Sequence, residues 1–492
     1  MLDTAFANLG FAISMVTGRP FRQRSLEALL ASAKQTQHEF GRIGSDAEAL
    51  LVPPPMDPGA LQAVQERRFR AQAIEALETP YYRERFNDLN ISPRATGMNP
   101  TDFPITSKNT LRDRAEDFVS SRSRPQYRST TTGTTGWPTT IWFSEYENFL
   151  IGALSTITFR GQRIIEPDDF IQIAISTRAR LGVHGVTFAA NQIGAPVHPA
   201  GIVSPEHTLA LLTERHKLPG KKSRVSVMST YPSYLGELVE CALALGYKAS
   251  DFGLERLLLG GEILSAGMQR RATELFGEIE FRQNYGMTEL VPYGASLCEV
   301  GHLHYEPTVG LLEVMDIETC SRMVRPGEAG VVVATPLPPF RDTTILLRYN
   351  TEDVVRTLEG PVECSLRSVP GTTNLLGKAR LSIQHDSGWT FVRDVLDALE
   401  SVDDVVLPAR YGFAAVPGGV AVEVVARSTN KKTADAIGDS LERHGVPLRR
   451  LRVVDIRDDL LAPLPLRCDL REGSLATLRK SASIVGAFGG MR

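Results

Sequence analysis

The chain has 492 residues, too many for one ordinary domain, so roughly two to four domains are expected. Hydrophobic residues at 42% and charged residues at 23% can bury a large core, and a net charge of −3 speaks against a broad basic surface for nucleic acid. No apolar run reaches the ~18 residues of a membrane helix, and the five scattered cysteines (Cys241, Cys298, Cys320, Cys364 and Cys468) suit reduced thiols in a cytoplasm better than a disulfide framework.

The opening stretch MLDTAFANLGFAISMVTGRPFRQR carries its basic residues after the apolar run and an acid at Asp3. That is the wrong order for a secretory signal, and an amphipathic packing helix is expected. Residues 1–120 read mainly as helices, with apolar positions at helical spacing in SLEALLASAKQTQHEF and LQAVQERRFRAQAIEAL, interrupted by VPPPMDPG. From about Phe170, the runs FIQIAIS, SRVSVMS and ERLLLGG alternate with the helical patterns YLGELVECALALG and AGMQRRATELFG. Such alternation predicts an α/β region built on a largely parallel sheet. Between 310 and 356, GLLEVMD, AGVVVATPL and TTILLRYN are separated by turn signals and predict antiparallel strands. Composition shifts at Leu376–Gly377, after which VRDVLDALESV, GGVAVEVVARS and TADAIGDSLERHG predict a small α+β domain. The expected organisation is therefore a large, multi-layered α/β domain over 1–376 and a small C-terminal domain over 377–492, with a ligand cleft at their boundary.

Four motifs carry chemistry. In Ser129-Thr-Thr-Thr-Gly133-Thr-Thr-Gly136-Trp-Pro138, glycines allow close backbone approach and successive N–H groups can form an anion nest. The Gly-Lys-Ser/Thr ending of a P-loop is missing, and an ordinary hydroxyl-rich loop fits the stretch equally well. Gly260-Gly261-Glu262 follows a predicted strand, where glycines line ligand crevices and also make plain turns. In Asn284-Tyr285-Gly286-Met287-Thr288-Glu289, a tyrosine can stack on a base, a hydroxyl can donate to phosphate, and a carboxylate suits Mg²⁺. Arg348-Tyr-Asn-Thr351-Glu352-Asp353 offers a carboxylate of the kind that holds ribose hydroxyls, in what could equally be an acidic turn.

In this order the four motifs resemble those of the adenylate-forming superfamily of acyl-CoA synthetases, luciferases and peptide-synthetase adenylation domains. Thr79-Pro-Tyr-Tyr-Arg-Glu-Arg-Phe86 and Phe103-Pro-Ile-Thr-Ser-Lys108-Asn-Thr-Leu111 resemble the phenylacetate-CoA ligase branch in particular. The resemblance spans residues 60–380. It implies an ATP- and Mg²⁺-dependent, AMP-forming ligase that converts a carboxylic acid to an acyl-adenylate and passes it to a thiol, either CoA or an acyl carrier protein. By the same resemblance, Thr131, Thr132, Gly133, Thr134, Thr135 and Gly136 hold the β,γ-phosphates. Gly261, Glu262, Tyr285 and Gly286 form the adenine pocket, Asp353 binds the ribose, Thr288 contacts the α-phosphate and Glu289 binds Mg²⁺. Arg348 is expected to add positive charge near the phosphates. The partners expected are a small-molecule carboxylic acid and CoA or an acyl carrier protein, with no nucleic acid and no membrane, and the resemblance implies a homodimer.

Several positions depart from the family. Gly377-Lys378-Ala379-Arg380 stands where a Gly-Arg pair followed by an acid is usual, and lysine lacks arginine's fork. The C-terminal catalytic lysine has one nearby candidate, Lys480, which also reads as a solvated surface residue. These departures keep two other readings open: adenylation coupled to amide formation or adenylyl transfer without CoA, and a non-catalytic nucleotide-binding descendant. Cys298, His304 and Cys364 match three of the four zinc ligands of phenylacetate-CoA ligase relatives. Leu366 occupies the fourth place, leaving His302 as a substitute ligand, or the group as a remnant that binds no metal. His184 and Tyr231 read either as neighbours of the acyl pocket or as packing residues, and Trp137 replaces a lysine common in the phosphate loop.

Overall fold

The computed structural model describes residues 13–14, 17–28, 30–31, 58–95, 99–131, 138–176, 180–461 and 468–469. After helical residues at 23–28 and 30–31 come helices α1 (Pro58–Ala76), α2 (Pro80–Asp88) and α3 (Lys108–Asp113), in keeping with the helical periodicity of the N-terminal segment. Helix α2 starts where Thr79 accepts the Tyr82 amide and Pro80 supplies a preset φ. Its buried face carries Tyr81, Tyr82 and Phe86, which pack with Phe69, Phe103 and Phe118. Each ring so buried contributes on the order of 1.5–3 kcal/mol, which fixes this segment to the body of the protein.

Strands β1 (Pro125–Thr130) and β2 (Thr140–Ser144) form an antiparallel hairpin leading into α4 (Glu145–Gly161), whose first turn is closed by a Ser144–Glu147 capping box. Alternating strands and helices follow: β3 (Ile171–Ala174), α5 (Arg180–Ile193), β4 (Val197–His198), α6 (Pro205–Thr213), β5 (Val227–Thr230), α7 (Pro232–Leu245), β6 (Arg256–Gly260), α8 (Ala266–Phe276) and β7 (Glu280–Tyr285). Strands β4, β3, β5, β6 and β7 lie parallel in that spatial order, the arrangement the βα alternation predicts. The sheet then continues antiparallel through β8 (Ala295–Leu297), β9 (His302–Tyr305) and, later in the chain, β13 (Gly371–Thr373). A second sheet is antiparallel, as its turn signals predict: β10 (Gly310–Met315), β11 (Ala329–Pro336) and β12 (Tyr349–Arg356). Its fourth strand, β14 (Gly377–Lys378), pairs Lys378 with Asp353, so the first residues assigned by composition to the small domain hydrogen-bond into the large domain's sheet.

Beyond this strand lie a hairpin of β15 (Ile383–His385) and β16 (Gly388–Thr390), helix α9 (Val392–Glu400), β17 (Tyr411–Val416), β18 (Gly419–Ala426), α10 (Lys431–Arg443) and β19 (Leu448–Asp455). They enclose a separate core of Val395, Leu396, Leu399, Tyr411, Phe413, Val422 and Ile437. The two cores interlock: Ile263 belongs to the small one, and Leu407 packs with α7 and α8 of the large one. Arg271 of α8 donates to the Val405 carbonyl at 2.8 Å and pairs with Glu240 of α7, which also accepts the Leu407 amide at 2.9 Å. Buried Glu400 accepts Ser265 Oγ and the Ala409 amide. A Cβ at Gly267 would overlap the Glu400 carbonyl, and one at Gly236 would lie 2.8 Å from the Pro408 nitrogen.

Gly267→Ala should therefore lower unfolding stability by about 1–3 kcal/mol, as overpacking does. Gly360→Ala, where an added Cβ meets nothing within 4 Å, should leave stability unchanged. Urea melts of both variants check this; an unaltered Gly267→Ala midpoint would show that the helix α8–α9 contact is loose.

Candidate active site

The parallel strands deliver the site at their carboxyl ends, where doubly wound sheets bind ligands. After β6 the chain turns through Gly261 at φ +76°, and a Cβ there would press to 3.4 Å from the Tyr231 ring. Both the left-handed turn and the close ring call for glycine. Glu262 then accepts the Ser233 amide at 2.8 Å, so its carboxylate caps the positive end of α7 while bordering the crevice. Burial, and secondarily the Glu262 carboxylate, push the Tyr231 phenol up to about 12.

At the end of β7, the Tyr285 hydroxyl donates to Asp353 Oδ2 at 3.0 Å. Burial and the adjacent Asp353 carboxylate raise its phenol well above the ordinary value, so the hydroxyl stays protonated and donates. Asp353 Oδ1 lies 2.8 Å from Lys378 Nζ, and Lys378 also donates to the Thr351 carbonyl at 3.0 Å. Tyr285, Asp353 and Lys378 thus form one group. Gly286 is exposed, with nothing within 4 Å of an added Cβ, and Thr288 is half-exposed. Glu289 is 1% exposed, with Lys108 Nζ 3.5 Å from its Oε1, and the same oxygen accepts the Tyr349 hydroxyl at 3.0 Å. Lys108 and Tyr349 were not singled out for the site by sequence, although both stand inside quoted motifs.

Arg348 requires a correction. Its guanidinium makes a two-pronged pair with Glu313 (Nε–Oε2 3.0 Å, Nη2–Oε1 2.9 Å) and donates to the Phe103 and Thr101 carbonyls at 2.6 and 3.3 Å. The charge is cancelled and the donors are occupied, so Arg348 is a structural tie and supplies no positive charge for a phosphate. Thr131 closes the base of the phosphate-loop candidate: its amide donates to the Thr139 carbonyl, and its Oγ1 accepts the Thr139 amide, both at 3.0 Å. Thr132, Gly133, Thr134, Thr135, Gly136 and Trp137 lie outside the described residues, as does Lys480. His184 is satisfied by the Asn148 carbonyl at 2.8 Å.

A second cluster lies behind the strand that follows the Tyr285 motif. Sγ of Cys298, Sγ of Cys364 and a ring nitrogen of His304 all fall within 4.8 Å of one another. His304 Nδ1 meets the Val369 carbonyl at 2.8 Å, which fixes the proton there and turns Nε2 toward Cys364 Sγ at 3.4 Å. Burial depresses the imidazole's pKa and raises that of the Cys364 thiol. His302 donates its amide to Cys298 Sγ at 3.3 Å, and its ring Nδ1 is buried without a hydrogen-bond partner. Its ring is not among the three converging ligands.

A family model described as AMP-binding enzyme matches residues 82–335, just over half of the chain. The chain belongs to the AMP-binding enzyme family. This membership places it among the adenylate-forming enzymes. Its fold is shared with 2-hydroxyisobutyryl-CoA ligase in the postadenylation state in complex with R3-HIB-AMP (TM-score 0.66, 16% identity, 82% of this chain and 87% of that one). It is shared too with that ligase bound to 2-HIB-AMP and CoA in the thioesterification state (TM-score 0.57, 17% identity, 89% and 94%). The anthranilate CoA ligase AuaEII in complex with anthranoyl-AMP aligns at TM-score 0.52 and 15% identity over 75% of this chain and 68% of its own. Curated protein sequences contain no match.

Arg348→Met should leave Glu313 buried and unpaired, destabilising this AMP-binding enzyme by about 3–5 kcal/mol, and Glu313→Leu in the same chain should recover much of the loss. Denaturant melts of the single and double variants test the structural assignment. A fully stable Arg348→Met protein with a raised KM for ATP would restore the phosphate role.

Proposed function

We propose that the protein is an ATP- and Mg²⁺-dependent, AMP-forming ligase that activates a carboxylic acid and transfers the acyl group to a thiol, CoA or a carrier protein. The observation that carries the reading is the convergence of Tyr285 and Asp353, bonded at 3.0 Å, with Glu289 beyond the same strand end. Asp353 suits the ribose hydroxyls, and Gly261, Glu262, Tyr285 and Gly286 border the base. The loop from Thr131 to Gly136 holds the β,γ-phosphates and Thr288 donates to the α-phosphate. Glu289 is a buried oxygen donor of the kind Mg²⁺ accepts alongside phosphate oxygens, and the metal would neutralise charge on them.

An oxygen of the acid attacks the α-phosphorus, the bond to the bridging oxygen breaks, and pyrophosphate leaves. In the second step a thiolate attacks the acyl carbon and AMP departs. The protein's part is to position two anions and stabilise the charge between them, with no covalent intermediate on a side chain. The division at 376/377 belongs to this reading, with the site between a large domain (1–376) and a small one (377–492) that brings Lys480.

The converging Cys298, His304 and Cys364 support the phenylacetate-CoA ligase-like branch. Two sulfurs and an imidazole with a fixed tautomer fit zinc, one ligand short of a closed structural site. No described helix is long and apolar enough to cross a membrane. A cytoplasmic homodimer is the assembly proposed. One observation favours the second reading, an adenylate passed to an acceptor without CoA. Glu400 of the small domain and Arg271 of the large one are buried at the contact between the two, and a rearrangement of that contact to build a thioester site would have to expose them.

Pyrophosphate release from ATP and Mg²⁺ across aryl, arylacetic, fatty and amino acids, with and without CoA, tests the main reading. Glu289→Gln and Asp353→Ala should each lower acid-dependent release by about 100-fold or more; full activity in both would overturn the site. An adenylate product with no acyl-CoA in any well would select the second reading. Elemental analysis should find zinc lost in Cys298→Ser and Cys364→Ser, and a stable, zinc-free wild-type protein would remove the metal from the proposal.

A further inference from the structure

Lys108 opens helix α3, whose first turn is set by Ser107 accepting the Thr110 amide at 3.1 Å. Thr106 anchors the segment: its amide donates to the Arg348 carbonyl at 3.0 Å and its own carbonyl accepts the Asn350 amide at 2.9 Å. The outcome is an ammonium, on a side chain 15% exposed, held 3.5 Å from Oε1 of a carboxylate that is 1% exposed. Other cations of this region are committed, Arg348 to Glu313, Lys378 to Asp353 and the buried Arg341 to Glu147. Glu289 and Lys108 are therefore the pair a metal would interrupt. Tyr349 gives that oxygen a hydrogen bond, and Lys108 is the cation in direct contact with it. A divalent ion outcompetes a monovalent ammonium for the same oxygen, and the flexible four-carbon stem lets the ammonium move aside.

Resting on the adenylation reading above, we propose that Lys108 exchanges places with Mg²⁺ at Glu289. It neutralises that carboxylate while no metal is bound, and the displaced ammonium then pairs with the carboxylate of the acid to be activated. In this role Lys108 touches the substrate acid and is a catalytic residue. The chemistry calls for such a group, because the acid and the α-phosphate are both anions and the metal serves the phosphates. The N-terminal helical segment, and not only the C-terminal domain, would then supply a cation to the reaction.

The test compares wild type with Lys108→Met, Lys108→Gln and Lys108→Arg in the full chain. Mn²⁺ is titrated into the enzyme–ATP complex without acid, with free Mn²⁺ read by electron paramagnetic resonance. The KM for the acid is read from acid-dependent pyrophosphate exchange. Removing the competing cation should tighten Mn²⁺ binding by about threefold or more in Lys108→Met and Lys108→Gln. The same variants should raise the acid's KM by about tenfold, with Lys108→Arg closer to wild type. Folded neutral variants with unchanged Mn²⁺ binding and unchanged acid KM would overturn the proposal, and so would variants that weaken both, as a purely structural lysine would. If no acid supports exchange in the wild type, the adenylation reading falls by itself, and the Mn²⁺ titration still decides the exchange at Glu289.

Discussion

The buried Arg348–Glu313 pair is the constraint around which the site is assembled. Both side chains are nearly inaccessible, and an unpaired charge at that depth would cost several kcal/mol. The pair is stable because its hydrogen bonds are completed by the Thr101 and Phe103 carbonyls, which come from the segment just before Lys108. One guanidinium therefore joins β10, the start of β12 and the N-terminal helical segment. The backbone follows: Arg348 adopts a left-handed φ of +45°, its amide donates to Thr335 Oγ1 at 2.8 Å, and its carbonyl accepts from Thr106. With these fixed, Tyr349 and Lys108 have little choice but to meet Glu289.

A second line of coupling runs from the nucleotide side to the small domain. The carboxyl ends of β5 and β6 carry Tyr231, Gly261 and Glu262, while the helices that follow, α7 and α8, carry Glu240, Ser265 and Arg271, which seat the small domain. The same two βα units serve both tasks, one at the turn and one along the helix. Lys378 adds a direct connection, since the strand leading into the small domain places its ammonium on Asp353. A ligand that engages Asp353 must share it with Lys378.

Much of this was legible in the sequence because the signals are local. FIQIAIS, SRVSVMS and ERLLLGG became β3, β5 and β6, buried on both faces as continuous apolar runs in a parallel sheet should be. The antiparallel half of that sheet was not legible, because β8, β9 and β13 have only 3, 4 and 3 residues and show no alternation long enough to read. Arg348 was misread for a different reason. Its motif neighbours face the site, but its partner Glu313 lies 35 positions away, in a run that reads simply as a strand. The three-ligand cluster was legible as residue types at suggestive spacings. Their convergence depends on β9 pairing with β13 and on the loop before β13 folding back, which no local pattern encodes.

Three carboxylates in and around the site are each held against a cation. Glu313 is matched by Arg348, Asp353 by Lys378 and Glu289 by Lys108, three carboxylates against three cations. A nucleotide triphosphate brings about four negative charges to a site with no surplus of positive charge in these pairs, so its neutralisation has to arrive with it or come from backbone N–H donors. The proposed phosphate loop, rich in hydroxyls and glycines, could offer such donors, and it carries Trp137 but no lysine. The pairs differ in exposure. Arg348–Glu313 is sealed, whereas Lys378 and Lys108 are partly exposed at 27% and 15%, as the proposed competition with an incoming ribose or metal requires. Of the three pairs, these two are the ones that place their cation within reach of solvent.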